Sequence, residues 1–173
     1  MSRLFTRRRI LGAGGAAALL PAAVTRPQAA GAVPGVAGQV VTLLTPMRVF
    51  DSRTDLIPLN GQKLSPGESI AVTVSPAFLD DVALAVFLNC SITETEGSGY
   101  LVLRPSDLSG ERPFPNTSNI NWWTGGLTLG NAGLVAVGGE NAIEVACRGA
   151  GRTHVIIDIQ GYVPFVPGTT ATR

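Results

Sequence analysis

The chain has 173 residues, 45% hydrophobic and 14% charged, with 2 Cys and with 21 Gly and 12 Pro that follow no three-residue period. This excludes a charged disordered chain, a collagen-like repeat and a disulfide-dense mini-protein, and it leaves enough apolar material for one core. Five of the 13 Lys and Arg (Arg3, Arg7, Arg8, Arg9, Arg26) fall in residues 1–32, which hold no acid, so residues 33–173 carry a net charge of −4. An acidic domain is repelled by phosphate backbones, which argues against nucleic acid as a partner.

Residues 1–32 have a basic start, a Gly- and Ala-rich apolar run from Ile10 to Leu20, and the small residues Ala30-Gly31-Ala32. That is the layout of an export signal, and Thr6-Arg7-Arg8-Arg9-Ile10-Leu11 is similar to a twin-arginine signal. The apolar run is about half the roughly 20 residues a membrane span needs, so no membrane contact is expected after cleavage near Val33. Expected locations are the extracellular space or the cell wall. Residues 33–38 read as a linker, 39–165 as the folded domain and 166–173 as a flexible tail.

From residue 39 short runs of alternating apolar and polar residues are separated by Gly, Pro, Asn, Asp and Ser. Their period of two predicts strands at 39–44, 47–51, 69–74, 83–93, 100–104, 119–123, 133–137, 142–147 and 154–162. Only Pro76–Asp81 could form a helical turn. In 83–93 the apolar side is Leu84, Val86, Leu88, Cys90 and Ile92, and Glu96-Gly97-Ser98-Gly99 turns it into the next strand. Eight or nine short strands with one apolar face each predict an all-β fold, an antiparallel β-sandwich of jelly-roll-like type.

Few residues carry candidate chemistry. Cys90 and Cys147 fall on inward faces and could form a disulfide, worth about 4 kcal/mol by loop entropy, or stay buried thiols. There is no CxxC and only one histidine, so no metal site is expected. His154 and Asp158 suggest a hydrolytic pair, but four residues along a strand separate them by about 13 Å. No GxSxG elbow is present, so a non-catalytic His154 is favoured. Glu94 and Glu96 read as solvated turn acids, as do Asp80 and Asp81. Trp122 and Trp123 point to opposite faces of their strand. With Ile120 and Trp122 inward, Asn119, Asn121 and Trp123 face out, where an indole beside amides can stack on a sugar ring or anchor a protein. Burial of both rings is the competing expectation.

The ordered segments PMRVFDSR, PGESIAVTV, ALAVFLNCSIT, GYLVLRP, SNINW and HVIIDIQGY resemble a β-rich domain of exported actinobacterial cell-envelope proteins. The resemblance spans 45–163 and implies a non-catalytic module. The chain differs from that pattern in having Cys90 where Val is usual and a second Trp after SNIN. Asp51, Arg53 and Asp158 lie in the shared segments. An Arg53 fork onto a carboxylate is expected to pin the first strand to the last.

The combined expectation is a secreted module without cofactor or catalysis that binds cell-wall polysaccharide or an envelope protein. The alternative is a self-associating subunit of an extracellular assembly, using an apolar face or an open sheet edge. A small hydrolase with His154 as its base is the third reading.

Overall fold

Alternation with period two builds eight strands in the computed structural model, which describes residues 40–55, 57–74, 83–107 and 113–165. The expected signal, linker and tail, and the Pro76–Asp81 segment, lie outside these residues. The strands are β1 (Val41–Asp51), β2 (Ser69–Thr73), β3 (Ala83–Glu96), β4 (Gly99–Pro105), β5 (Ile120–Trp122), β6 (Leu129–Ala136), β7 (Ala142–Gly149) and β8 (Arg152–Pro164). They form two four-stranded antiparallel sheets, β1-β8-β3-β6 and β2-β7-β4-β5. The pairs 1·8, 2·7, 3·6 and 4·5 are those of a long hairpin rolled into a jelly roll. The all-β sandwich expected from the alternation is what the chain forms.

The inner faces interdigitate into one core. Val86, Leu88, Cys90 and Ile92 of β3 meet Leu101 and Leu103 of β4, Ile143, Val145 and Cys147 of β7, and Val155, Ile157 and Ile159 of β8. Each fully buried side chain of this kind contributes roughly 1.5–3 kcal/mol, so the alternation of β3, β7 and β8 is the main energetic reason for the fold.

Most strand ends move by one to three residues, and two strands and one face assignment differ more substantially from the sequence reading. The segments 39–44 and 47–51 are one strand, because both halves stay on β8 across a register shift between Thr42 and Met47. β6 begins at Leu129 rather than 133, since Leu129, Gly130 and Asn131 continue the ladder against Ile92, Ser91 and Cys90. Leu84 is 46% exposed while Ala83 is buried, because a register shift between Ala83 and Ala85 turns the first residues of β3 over.

The registers also fix the two ends of the sandwich. The β1–β2 connection, the β3–β4 turn, the β5–β6 loop and the β7–β8 turn gather at one end, where Gly99 lies opposite both Trp122 and Gly149 and Glu96 lies opposite Arg152.

Candidate functional site

The gathered loop end presents Trp123. β5 is short because it is an anchor: Ile120 and Trp122 point into the core and are 5% and 3% exposed. The Trp122 ring packs against Gly99, where a Cβ would lie 2.5 Å from its Cζ2. The next side chain must point the other way, and Trp123 is 71% exposed. The turn after it is tied to β3 by Thr95, whose Oγ1 donates to the Thr124 carbonyl at 2.8 Å and accepts Leu127 N–H at 2.9 Å. Gly126 N–H donates to the Thr95 carbonyl at 2.7 Å. An exposed indole is thereby held on a hydrogen-bonded base.

On the outer face of the second sheet, Asn121, Tyr100 and Arg148 stand opposite one another on β5, β4 and β7. Directly opposed side chains have Cβ atoms about 5 Å apart, so these three form a continuous row beside Trp123. Phe114, between β4 and β5 in sequence, lies against the same face. Two guanidinium groups lie over that ring, Arg104 at 3.7 Å and Arg148 at 4.4 Å from the centroid. Arg104 is itself buried and forks onto Glu144, with Nε at 2.9 Å and Nη2 at 2.6 Å from Oε2. The face therefore offers a large ring (Trp123), an exposed amide (Asn121), a half-buried phenol (Tyr100) and a cation.

The three expected partner-binding residues are not equivalent. Asn121 is exposed, and its amide donates to Ser118 Oγ at 2.9 Å. Asn119 is half-buried, and its side-chain oxygen accepts Leu103 N–H at 2.7 Å while its carbonyl accepts from Asn131. Its role is to extend the β4 ladder past the end of β5. Tyr100 and Arg148 were missed, although the outward positions of GYLVLRP and IEVACR carry them; only the strand order places them beside β5.

The expected ion pair has a different wiring. Arg53 does fork onto Asp51, with Nε–Oδ1 at 2.9 Å and Nη2–Oδ2 at 2.6 Å, but the two residues share one turn, so this contact pins no strands together. Arg48 makes the cross-strand connection, from Nε and Nη2 to the Asp158 carboxylate at 2.9 and 3.2 Å and from Nη1 to Asp51 at 3.3 Å. Arg48 stands directly opposite Asp158, whereas Arg53 lies past the end of β1. The Arg53 hydrogen bond holds the Asp51 carboxyl below the usual carboxylate range.

Cys90 and Cys147 are free buried thiols, one in each sheet, and the weighed bridge is not formed. Burial pushes both up to about 12, so neither is a reactive thiolate.

His154 contacts Ser52 and Glu94 rather than Asp158. Nδ1 lies 2.9 Å from Ser52 Oγ, and Nε2 lies 3.9 Å from a Glu94 carboxylate oxygen. The composition is that of a hydrolytic triad, but the geometry is that of a latch. Ser52 has no solvent exposure, and its Oγ accepts Val155 N–H at 2.9 Å, tying the end of β1 to β8. Glu96 is held by Lys63 at 2.7 Å and Arg152 at 2.6 Å, which lower its carboxyl to about 2.

A pH response follows from the latch. Burial lowers the His154 pKa from its ordinary 6.5, against the opposing pull of Glu94 and with help from Lys63 and Arg53. The unfolded chain then takes up the proton first, so this term is favourable above pH 6.5 and declines as pH falls from there through the folded value. The Asp51 contribution is present above its ordinary 3.8 and is lost only as pH falls through its lower folded value. Thermal melts between pH 7.5 and 5 should show a falling midpoint in the wild type and a flatter profile in His154→Gln.

Among the described residues no three His, Cys, Asp or Glu side chains converge on a common metal position, and no helix is long and apolar enough to cross a membrane. No family model, no curated protein and no solved structure matches this chain.

Proposed function

We propose that this chain is an exported, non-catalytic envelope module that takes a sugar ring of wall glycan on Trp123. The observation that carries the reading is the contrast between adjacent indoles: Trp122 is seated in the core, and Trp123 is 71% exposed on the loop it anchors. An exposed tryptophan on a fixed base loses little conformational freedom on contact, which is what an aromatic anchor requires. Asn121 and Tyr100 stand beside it with hydroxyl-bonding groups, and Arg148 adds a cation for carboxylates of the glycan or its peptides. Support for a non-catalytic role is the engagement of Ser52 Oγ by Val155 N–H, away from solvent, which leaves His154 without an accessible nucleophile.

Co-sedimentation with purified wall tests the reading. Wild-type protein should pellet, and Trp123→Ala should lose about 2 kcal/mol of binding, about thirtyfold, with an unchanged melting midpoint. Tyr100→Ala should lose less. Equal pelleting of wild type and Trp123→Ala would remove the site. If Trp123→Ala instead loses a protein captured from envelope extract, the site stands and the glycan is replaced by a protein partner.

A further inference from the structure

Among the described residues the basic side chains are spent on carboxylates, with one exception. Arg48, Arg53, Lys63, Arg104 and Arg152 each hold a carboxylate oxygen at 2.6–2.9 Å. Arg148 is the described cation that reaches no carboxylate. The acids on its own strand and ahead of the neighbouring β2 are engaged elsewhere. Glu144 is forked by Arg104, and the Glu68 carboxylate accepts Ser65 N–H at 2.9 Å.

Arg148 is nonetheless held in place. Its Nη1 donates to the Cys147 carbonyl at 2.9 Å, and its guanidinium lies over the Phe114 ring, 4.4 Å from the centroid. Arg104, buried and forked onto Glu144, lies over the same ring at 3.7 Å and fixes it. A planar guanidinium stacked on a ring and bonded at one nitrogen loses little freedom when it forks onto an anion. The remaining N–H donors of Arg148 have no partner among the described residues. The side chain is half-buried and faces outward in one row with Tyr100 and Asn121. Two strand spacings, about 10 Å, separate Arg148 from Asn121, and Trp123 stands beyond Asn121. A ligand that touches both Trp123 and Arg148 is therefore longer than one sugar ring.

We infer that Arg148 is the specificity-determining residue of the Trp123 site and that the site takes an anionic oligosaccharide, with one ring on Trp123 and an ionised carboxylate or phosphodiester of a following residue on Arg148. Phe114 is a positioning residue, which acts by aiming Arg148. The inference rests on the Trp123 reading and adds a charge requirement to it. A neutral glycan stacks on Trp123 but leaves the held cation unmatched; an anionic one forms charge-assisted hydrogen bonds with a group already in position.

Calorimetry with soluble, peptide-free wall-glycan fragments in three preparations is the test: untreated, carboxyl-reduced with carbodiimide and borohydride, and stripped of phosphodiesters with cold hydrofluoric acid. The wild type should bind the untreated fragments about tenfold more tightly than at least one treated set, and the set that loses affinity names the anion. The preference should shrink as salt is raised, because the cation is only half-buried. Arg148→Gln should bring the ratio close to one, and Phe114→Leu should narrow it. Trp123→Ala should weaken all three preparations and keep the ratio. A wild type that binds all three equally overturns the inference, and leaves the Trp123 reading standing if Trp123→Ala still weakens them. A preference that survives in Arg148→Gln also overturns it. Binding of none of the preparations removes both readings.

Discussion

Gly151→Ala is expected to destabilise the domain by at least about 3 kcal/mol, seen as a lower urea midpoint at unchanged slope. Two hairpin turns meet backbone to backbone at the loop end. Gly151 N–H and Ala150 N–H both donate to the Ser98 carbonyl, at 2.7 and 3.0 Å. A Cβ on Gly151 would lie 2.0 Å from the Glu96 carbonyl oxygen and 2.8 Å from Ser98 N. Every opposing atom is main chain, so no side chain can swing aside, and the β7–β8 turn must part from the β3–β4 turn. Gly133→Ala serves as the control, since nothing lies within 4 Å of the added methyl, and it should stay within about 0.5 kcal/mol of wild type.

Trp122→Ala is expected to cost about 3–5 kcal/mol, because it empties the seat beside Gly99 and leaves Ile120 as the one core-facing side chain of β5. Trp122→Phe should cost less than about 1.5 kcal/mol. The difference is instructive: among the described residues the buried indole N–H has no hydrogen-bond partner, so much of what the large ring gains by burial is offset by that group. A phenyl ring keeps most of the apolar contact and has no donor to satisfy. Denaturation of the two variants checks this, and equal losses in both would mean that Trp122 is held by something other than ring packing.

The sandwich was legible because its strands keep period two where it counts. Val86, Leu88, Cys90 and Ile92 on β3 and Val155, Ile157 and Ile159 on β8 put an apolar side chain on the core face at every second position, even though Phe87 and Ile156 between them are apolar too. The opposed orientations of Trp122 and Trp123 were legible for the same reason. What could not be read was anything that depends on which strand lies beside which. The row of Asn121, Tyr100 and Arg148 draws on three strands separated by long connections, and only the order β7-β4-β5 assembles it. The Arg48–Asp158 contact needs a register between β1 and β8 that the local pattern does not contain, so the pinning role fell to Arg53 on motif grounds. Ser52 beside His154 is of the same kind: the two are 102 residues apart in sequence. Leu84 went wrong through a register shift, which reverses every face assignment on its far side.

The central claim is that Trp123 is the contact residue, and the protein reports on it directly because it has two tryptophans. Quenching of tryptophan fluorescence by iodide should act on Trp123 and spare Trp122, so Trp123→Ala should leave an almost unquenched emission. Soluble wall-glycan fragments added to the wild type should then shield the quenchable component in proportion to saturation. If the fragments bind, as judged by calorimetry, while iodide quenching of Trp123 stays unchanged, Trp123 is not where they sit and the account fails.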